Sequence, residues 1–131
     1  MENRLRSDLI QWLRDDPELA AINAIEEESP LRASPPWLGL SASASTDWGT
    51  KDRSGREIRV ALELETRTDD PAADADLLQA IESRVFELPA FPERYELASI
   101  HFLRARSEQR ANNRRGALLE FRFRLFHAFT E

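Results

Sequence analysis

The clearest alternation of apolar and polar positions lies near the C-terminus, between Leu97 and Phe129. Four apolar residues occupy alternate positions in its second half, with charged residues in the gaps: Leu119, Phe121, Phe123 and Leu125. Successive side chains of a strand point to opposite faces, so this spacing predicts a strand with one apolar and one charged face. The first half is apolar with a less regular pattern. We therefore predict a long hairpin, connected from Ser107 to Gly116 through two turn-favouring asparagines.

Two earlier stretches also alternate like strands. From Trp37 to Ser45 small residues dominate, after the chain-breaking prolines of Ser34-Pro35-Pro36, and this predicts a strand that packs closely or lies at an edge. After a polar loop from Thr46 to Gly55, apolar residues alternate with charged ones from Glu57 to Glu65, which is typical of a half-buried strand. The apolar positions of this second stretch are Ile58, Val60, Leu62 and Leu64.

Two other stretches carry the three- and four-residue spacing of amphipathic helices. The apolar positions are Leu5, Leu9 and Leu13 in the first, and Leu77, Leu78, Ile81, Val85 and Leu88 in the second. Asp70-Pro71 has the form of an N-cap followed by proline, and predicts where the second helix starts. Asp16-Pro17 carries the same signal and predicts a short extra helix through Leu19 and Ile22.

The order helix, strand, strand, helix, strand, strand predicts an α+β fold. We expect an antiparallel four-stranded sheet with the two main helices on one face. With 131 residues and no internal boundary, the chain is expected to form a single domain over residues 1–131.

Composition narrows the function classes. The chain contains no cysteine, which excludes a disulfide framework, a thiolate metal site and a cysteine nucleophile. No apolar run is long enough to span a membrane, and the first ten residues are too charged for a secretory signal, so a cytoplasmic protein is the default expectation.

Charge is distributed unevenly along the chain, although the net charge is only −6. Residues 1–31 and residues 32–96 each carry −5, whereas residues 97–131 carry +4. The two ends can neutralise each other within one folded chain. Alternatively, an acidic surface of one subunit meets a basic surface of the next, a head-to-tail contact that can close into a ring. The sequence alone leaves both open.

Catalytic and ligand-binding signatures are absent from the sequence. His101 and His127 both fall on predicted strands, where a lone histidine is more often structural than catalytic. The chain has no nucleophile elbow and no phosphate-binding glycine loop, and its carboxylates are spaced like solvated faces. We therefore expect no enzyme, no metal site and no cofactor; an enzyme or ligand-binding domain would need a deep pocket around one of the histidines.

Three groups of residues are candidate interface positions. Arg110, Arg114 and Arg115 surround the predicted hairpin tip, where protein contact is favoured over nucleic acid because the chain is net acidic and no stacking aromatics accompany them. Trp48 lies in a polar loop and either anchors an interface or folds back over the sheet. The acidic run Glu26, Glu27 and Glu28 is expected to be exposed.

In its order of elements, the chain resembles the tail-completion, or tail-terminator, proteins of long-tailed phages, prophages and gene transfer agents. The resemblance rests on the first helix, the Asp16-Pro17-Glu18-Leu19-Ala20 stretch after it, Pro35-Pro36-Trp37, the strand from Gly55, the helix from Asp74 to Val85, and the final strand from Gly116 to Phe126. The acidic run departs from the family, which usually has a glycine-rich turn there.

This resemblance implies a non-enzymatic structural protein at the head–tail junction of a virion, made in the host cytoplasm. It implies a ring, usually of six subunits, that caps the tail tube and joins it to the head-side connector. Its partners would be other copies of the chain, the tail tube protein and the head-side connector protein. DNA would only pass through the lumen, and the resemblance implies no cofactor and no membrane. If Glu26, Glu27 and Glu28 line the lumen, their charge repels passing DNA, and neutralising them should slow its passage. The alternative is a small nucleic-acid-binding module that uses the arginine-rich tip.

Overall fold

The computed structural model describes residues 1–30 and 32–128, so the predicted end of the hairpin at Phe129 lies outside the described residues. Two α-helices and five strands follow one another along the chain. They are α1 (Glu2–Arg14), β1 (Ala24–Glu26), β2 (Trp37–Asp47), β3 (Gly55–Arg67), α2 (Ala75–Phe86), β4 (Tyr95–Gln109) and β5 (Arg114–His127). A short 3-10 helix, Pro17–Leu19, follows α1. The α+β class predicted from the sequence is confirmed.

The strands form one sheet in the order β1-β2-β3-β5-β4. β1 runs parallel to β2, and the other neighbours are antiparallel. The prediction of four antiparallel strands was therefore wrong in detail, because a fifth strand makes the sheet mixed. β1 spans only three residues, which is too short for an alternating pattern to be visible in the sequence.

The sheet has one buried and one open face, as the period-two pattern predicts. Alternate residues of β3 and β5 pack with both helices into a single apolar core. The buried residues of these two strands are Ile58, Val60, Leu62, Leu64, Ala117, Leu119, Phe121, Phe123 and Leu125. The helices contribute Leu5, Leu9, Ile10, Leu13, Ile81 and Val85 to the same core. The opposite face has no helix over it and carries most of the charged strand residues.

Three predicted boundaries were wrong. The helix expected to start at Asp70-Pro71 starts at Ala75 instead, because the Asp70 carboxylate accepts from the Ala72 amide in a separate turn. The helix expected through Ile22 is the one-turn 3-10 helix, in which Asp16 accepts from the Glu18 amide. The hairpin connection is shorter than Ser107 to Gly116, because both strands continue into that segment.

Asp8 on α1 holds the start of β4 against the helix layer. Asp8 is 8% exposed and Tyr95 is fully buried. The Tyr95 hydroxyl donates to the carboxylate of Asp8 at 2.8 Å, and Arg94 forms an ion pair with the same carboxylate. Burial raises the pKa of Tyr95 far above its ordinary value, and the hydrogen bond to Asp8 adds to the effect. The buried carboxylate is therefore paired, as the cost of burying a charge requires.

This contact predicts the response to alkaline pH. Because the folded state holds the Tyr95 proton above its ordinary pKa of 10.0, the unfolded chain loses the proton first, and the free energy of unfolding falls as pH rises past that value. Tyr95→Phe should lower stability at neutral pH by about 1 kcal/mol and flatten this alkaline decline. Denaturant unfolding at several pH values measures both. Tyr95 is the only tyrosine, so the absorbance of tyrosinate follows it alone, and titration of the folded protein near its ordinary pKa would contradict the prediction.

Candidate interaction surfaces

The hairpin tip is a tight turn set by its two asparagines. Asn112 and Asn113 have φ values of 60° and 59°, the left-handed region that asparagine tolerates better than most residues. The Arg110 amide donates to the Arg114 carbonyl at 2.7 Å and closes the turn. Two consecutive left-handed residues match the twist of a two-stranded antiparallel hairpin. The tip therefore has a defined shape.

Arg110 does not extend from this tip into solvent. Its guanidinium folds back over the open face of the sheet and donates to Glu63 at 2.7 Å, to Glu65 at 3.1 Å and to Glu108 at 3.1 Å. Burial by itself lowers the pKa of Arg110, but these hydrogen bonds outweigh it and the pKa is raised. Arg110 therefore fastens the hairpin tip to β3.

The carboxylates of Glu63 and Glu65 also accept hydrogen bonds from β2 and from the connection before it, on the side of β3 away from β5. Ser29 donates to Glu63 at 3.0 Å, and the indole of Trp37 donates to Glu65 at 2.9 Å. Gly116 makes room for Arg110, since a Cβ at Gly116 would lie 2.2 Å from the guanidinium carbon. Sequence reasoning missed these partners because each lies on a different strand or connection from Arg110.

The other two candidate arginines of the tip are also engaged. Arg114 is 40% exposed and lies 3.6 Å from the carboxylate of Glu65. Arg115 donates to the Thr68 carbonyl at 3.3 Å, in the connection after β3. The structure therefore brings Arg110 and Arg114 together around Glu65, and places Arg115 against a neighbouring loop.

Trp48 is half-buried and folds over the sheet. Its ring lies 4.9 Å from the ring of Phe126, centroid to centroid, and the guanidinium of Arg124 lies 5.4 Å from the Trp48 centroid. The sequence left two placements open for Trp48, and the structure has the one in which the ring folds back over the sheet. A part of the indole is still available at the surface, so its role as a contact residue stays a prediction.

The acidic run lies at one edge of the sheet. Glu26 ends β1, and Glu26, Glu27 and Glu28 are all exposed. The backbone of Glu28 passes close to β2, since a Cβ on Gly39 would be 3.0 Å from the Glu28 carbonyl oxygen. The run ends next to Ser29, which shares the Glu63 carboxylate with Arg110 of the hairpin tip, but among the described residues none of the three glutamates forms an ion pair with a tip arginine.

β4 forms the other edge of the sheet. It pairs with β5 on one side only, and every residue from 101 to 109 is exposed. Phe102 and Leu103 on this strand are 39% and 38% exposed, and Phe86 nearby on α2 is 45% exposed. Phe102 and Phe86 both contact the buried ring of Phe121. Exposed apolar residues on an open strand edge indicate a surface that other protein covers.

The residues considered for chemistry do not converge. His101 and His127 are exposed, on β4 and at the end of β5. The open face carries a shallow groove of about 440 Å³, with an alanine floor and Leu103, Arg104 and Glu120 on its rim, and neither histidine lines it. Among residues 1–30 and 32–128 no cluster of ligands suited to a metal ion is present, and no helix there is long and apolar enough to cross a membrane.

These features define a class: a small α+β domain distinguished by charged and open sheet edges. A family model described as "Tail completion protein gp17" matches residues 7–126. The chain therefore belongs to this family, and it is a structural protein of a virion tail.

A comparison with solved structures gives the same fold. A chain of a structure titled "Virion of native gene transfer agent (GTA) particle" superposes with a TM-score of 0.70 at 21% sequence identity, over 93% of this chain and 94% of that chain. At this level of identity the likeness shows the fold. No curated protein sequence gives a significant match.

The contact between Arg110 and Gly116 can be tested by substitution. Gly116→Ala should displace the guanidinium from its carboxylates and lower the free energy of unfolding by about 1–3 kcal/mol, the usual effect of losing hydrogen bonds between charged groups. In an Arg110→Met background the same change should cost far less, because the two substitutions remove one interaction.

Denaturant unfolding of the two single variants and the double variant measures this coupling. Arg67→Met is the matched control, since Arg67 is exposed at the end of β3 beside the hairpin tip and its loss should change stability by about 0.5 kcal/mol or less. Additive effects of Gly116→Ala and Arg110→Met would show that the guanidinium cluster does not stabilise the tip.

Proposed function

We propose that the chain assembles into a closed ring, of about six subunits, that caps the tail tube and joins it to the head-side connector. The observation that carries this proposal is the open edge of β4. Fifteen residues long, it exposes backbone donors and acceptors on its outer side together with Phe102 and Leu103. Proteins generally block or cover such an edge, because it readily pairs with another chain.

A ring follows from the inequivalence of the two sheet edges. β4 forms one edge, while β1 and the distal part of β2 form the other. When one edge meets the other edge of a neighbour, the contact is head-to-tail, and such contacts close when the rotation between subunits allows it. The family and the gene transfer agent virion structure support a position in a tail. The partners would be the tail tube protein, the connector protein and other copies of this chain, with DNA passing through the lumen.

The nucleic-acid alternative loses support from the tip geometry. Arg110 is held by three carboxylates, and Arg115 by a backbone carbonyl. A phosphate would have to displace these partners, whereas nucleic-acid grooves present arginines that are free to neutralise phosphate.

The ring proposal predicts a closed oligomer that stops tube growth. We expect light scattering to give a mass near six times 15.1 kDa, either for the free protein or after addition of tail tubes. Added to polymerising tube protein, the chain should halt elongation and leave one ring at a tube end in electron micrographs. Tubes that grow to the same length with and without the protein, and that carry no ring, would contradict the proposed function.

The alternative makes the opposite prediction in a binding assay. If the tip bound nucleic acid, binding of a labelled duplex would weaken steeply with salt and would be lost in an Arg114→Ala, Arg115→Ala double variant. We expect the protein and this variant to bind equally weakly at physiological salt. Clear binding by the unaltered protein that disappears in the variant would favour the nucleic-acid module.

A further inference from the structure

The uneven charge along the sequence becomes a difference between the two edges of the sheet. Glu26, Glu27 and Glu28 lie where β1 ends, beside the point at which β2 becomes an open edge. Arg104 and Arg106 lie on β4 at the opposite edge. All five residues are exposed. The β1 edge is therefore acidic, whereas β4 carries Arg104 and Arg106 together with Glu96 and Glu108.

The strand register places one acid and one base at the two ends of the same row. Glu26 pairs with Gly39, Gly39 with Glu63, Glu63 with Leu118, and Leu118 with Arg106. Residues that are direct neighbours across a sheet point to the same face. Glu26 and Arg106 therefore share the open face and the same level, about 19 Å apart if neighbouring strands are about 4.8 Å apart.

Neither of these two side chains has an ion-pair partner within the described part of the chain. Arg104, by comparison, pairs with Glu120, which raises the pKa of Arg104 and lowers that of Glu120. Arg110 is likewise saturated by carboxylates. Glu26 and Arg106 are thus charges of opposite sign, without an ion pair of their own, at matching positions on the two edges; the charge of Arg106 also helps to lower the pKa of Glu120.

We propose that the β1–β2 edge of one subunit docks against the β4 edge of a second copy, with Glu26 of one chain facing Arg106 of the next. This inference rests on the proposed ring and identifies its subunit contact. Continuing the sheet in this way sets β4 beside a strand that runs in the opposite direction, since β1 and β2 are antiparallel to β4 in the sheet order. It also covers Phe102 and Leu103, which β4 carries toward the same neighbour.

The row that joins Glu26 to Arg106 favours the β1–β2 edge of the second copy over its β4 edge. A two-fold contact between two β4 edges would leave Glu26 without a partner at both free edges. The β1 edge supplies Glu26 at the level of Arg106, whereas Glu27 forms an ion pair with Arg6 of its own chain at 4.0 Å. In a closed ring built from this contact, each subunit pairs both of its sheet edges with its two neighbours, and no edge stays exposed.

Disulfide cross-linking can test the contact without background, because the chain has no cysteine. The variants are Glu26→Cys, Arg106→Cys and the double variant, oxidised under conditions in which the unaltered protein is assembled, with tail tubes present if assembly requires them. Each single variant should form no disulfide, since its cysteines lie on equivalent edges that do not meet. A mixture of the two should give one cross-linked dimer, and the double variant a ladder that ends at the ring size.

The register is tested by moving one cysteine. Arg104→Cys and Glu108→Cys lie two residues away on the same face of β4, and a slip of the contact would transfer the cross-link to one of them. Lys51→Cys, in the loop between β2 and β3, is the exposed control and should not cross-link with Arg106→Cys. A cross-link at either neighbouring position supports the edge contact with a shifted register.

Charge reversal gives an independent readout. Arg106→Glu and Glu26→Arg should each raise the protein concentration needed for half-assembly by about tenfold, and the double reversal should restore most of the loss. Lys51→Glu should leave assembly unchanged. Circular dichroism checks that each variant is folded.

The outcomes separate this inference from the proposed function. Assembly of normal size without a cross-link at any of the three β4 positions, or without rescue by the double reversal, would overturn the edge contact and leave the ring standing. A protein that never assembles, alone or on tubes, would overturn both. Cross-linking by Arg106→Cys alone would show a two-fold contact between β4 edges and would also overturn the inference.

Discussion

The structure depends on the pairing of β3 with β5 at the centre of the sheet. These strands pair without interruption from Gly55 with Phe126 to Arg67 with Arg114. Because side chains alternate along both strands, one choice of register places most of their apolar residues under the helices and most of their charged ones on the open face. A shift by a single residue would reverse this and bury arginine and glutamate. The hydrophobic effect on one face therefore fixes the ionic arrangement on the other.

That arrangement explains why so many arginines near the hairpin are engaged by carboxylates of the same chain. β3 contributes Glu57, Glu63 and Glu65 to the open face, and β5 and the tip contribute the arginines opposite them. Each exposed ion pair stabilises the fold by only about 0.2–1 kcal/mol, but together the pairs neutralise most of the positive charge near the hairpin. Arg106, which forms no ion pair in the described part of the chain, lies farther out on the edge strand β4. Most of the net charge of +4 in the C-terminal region is therefore neutralised by carboxylates within the sheet, and the remaining positive charge lies at the β4 edge.

The sequence predicts the parts of this fold that follow from periodicity. The stripe of Leu5, Leu9 and Leu13, and the alternation from Leu119 to Leu125, both correspond to buried faces. β1 could not be predicted, since three residues carry no period and its parallel pairing joins segments that are apart in the chain. The Arg110 cluster was invisible for a related reason, because its carboxylates come from β3 and β4 and only the register brings them together. Sequence reasoning treated Gly116 as a turn residue, whereas this glycine leaves space for the guanidinium of Arg110.

The same strand register also relates the two edges of the sheet to each other. In a protein that stays monomeric, an exposed edge strand usually carries lysine or proline, which prevent it from pairing with a strand of another chain. Here β4 carries Phe102 and Leu103 at its open edge, and its unpaired Arg106 lies in the row that ends at Glu26 on the far side. In the proposed ring each Glu26 would face an Arg106 of the next subunit, whereas a two-fold contact between β4 edges would leave Glu26 without a partner. The strand register that orders the interior of one chain would then also set the level at which the next chain is added.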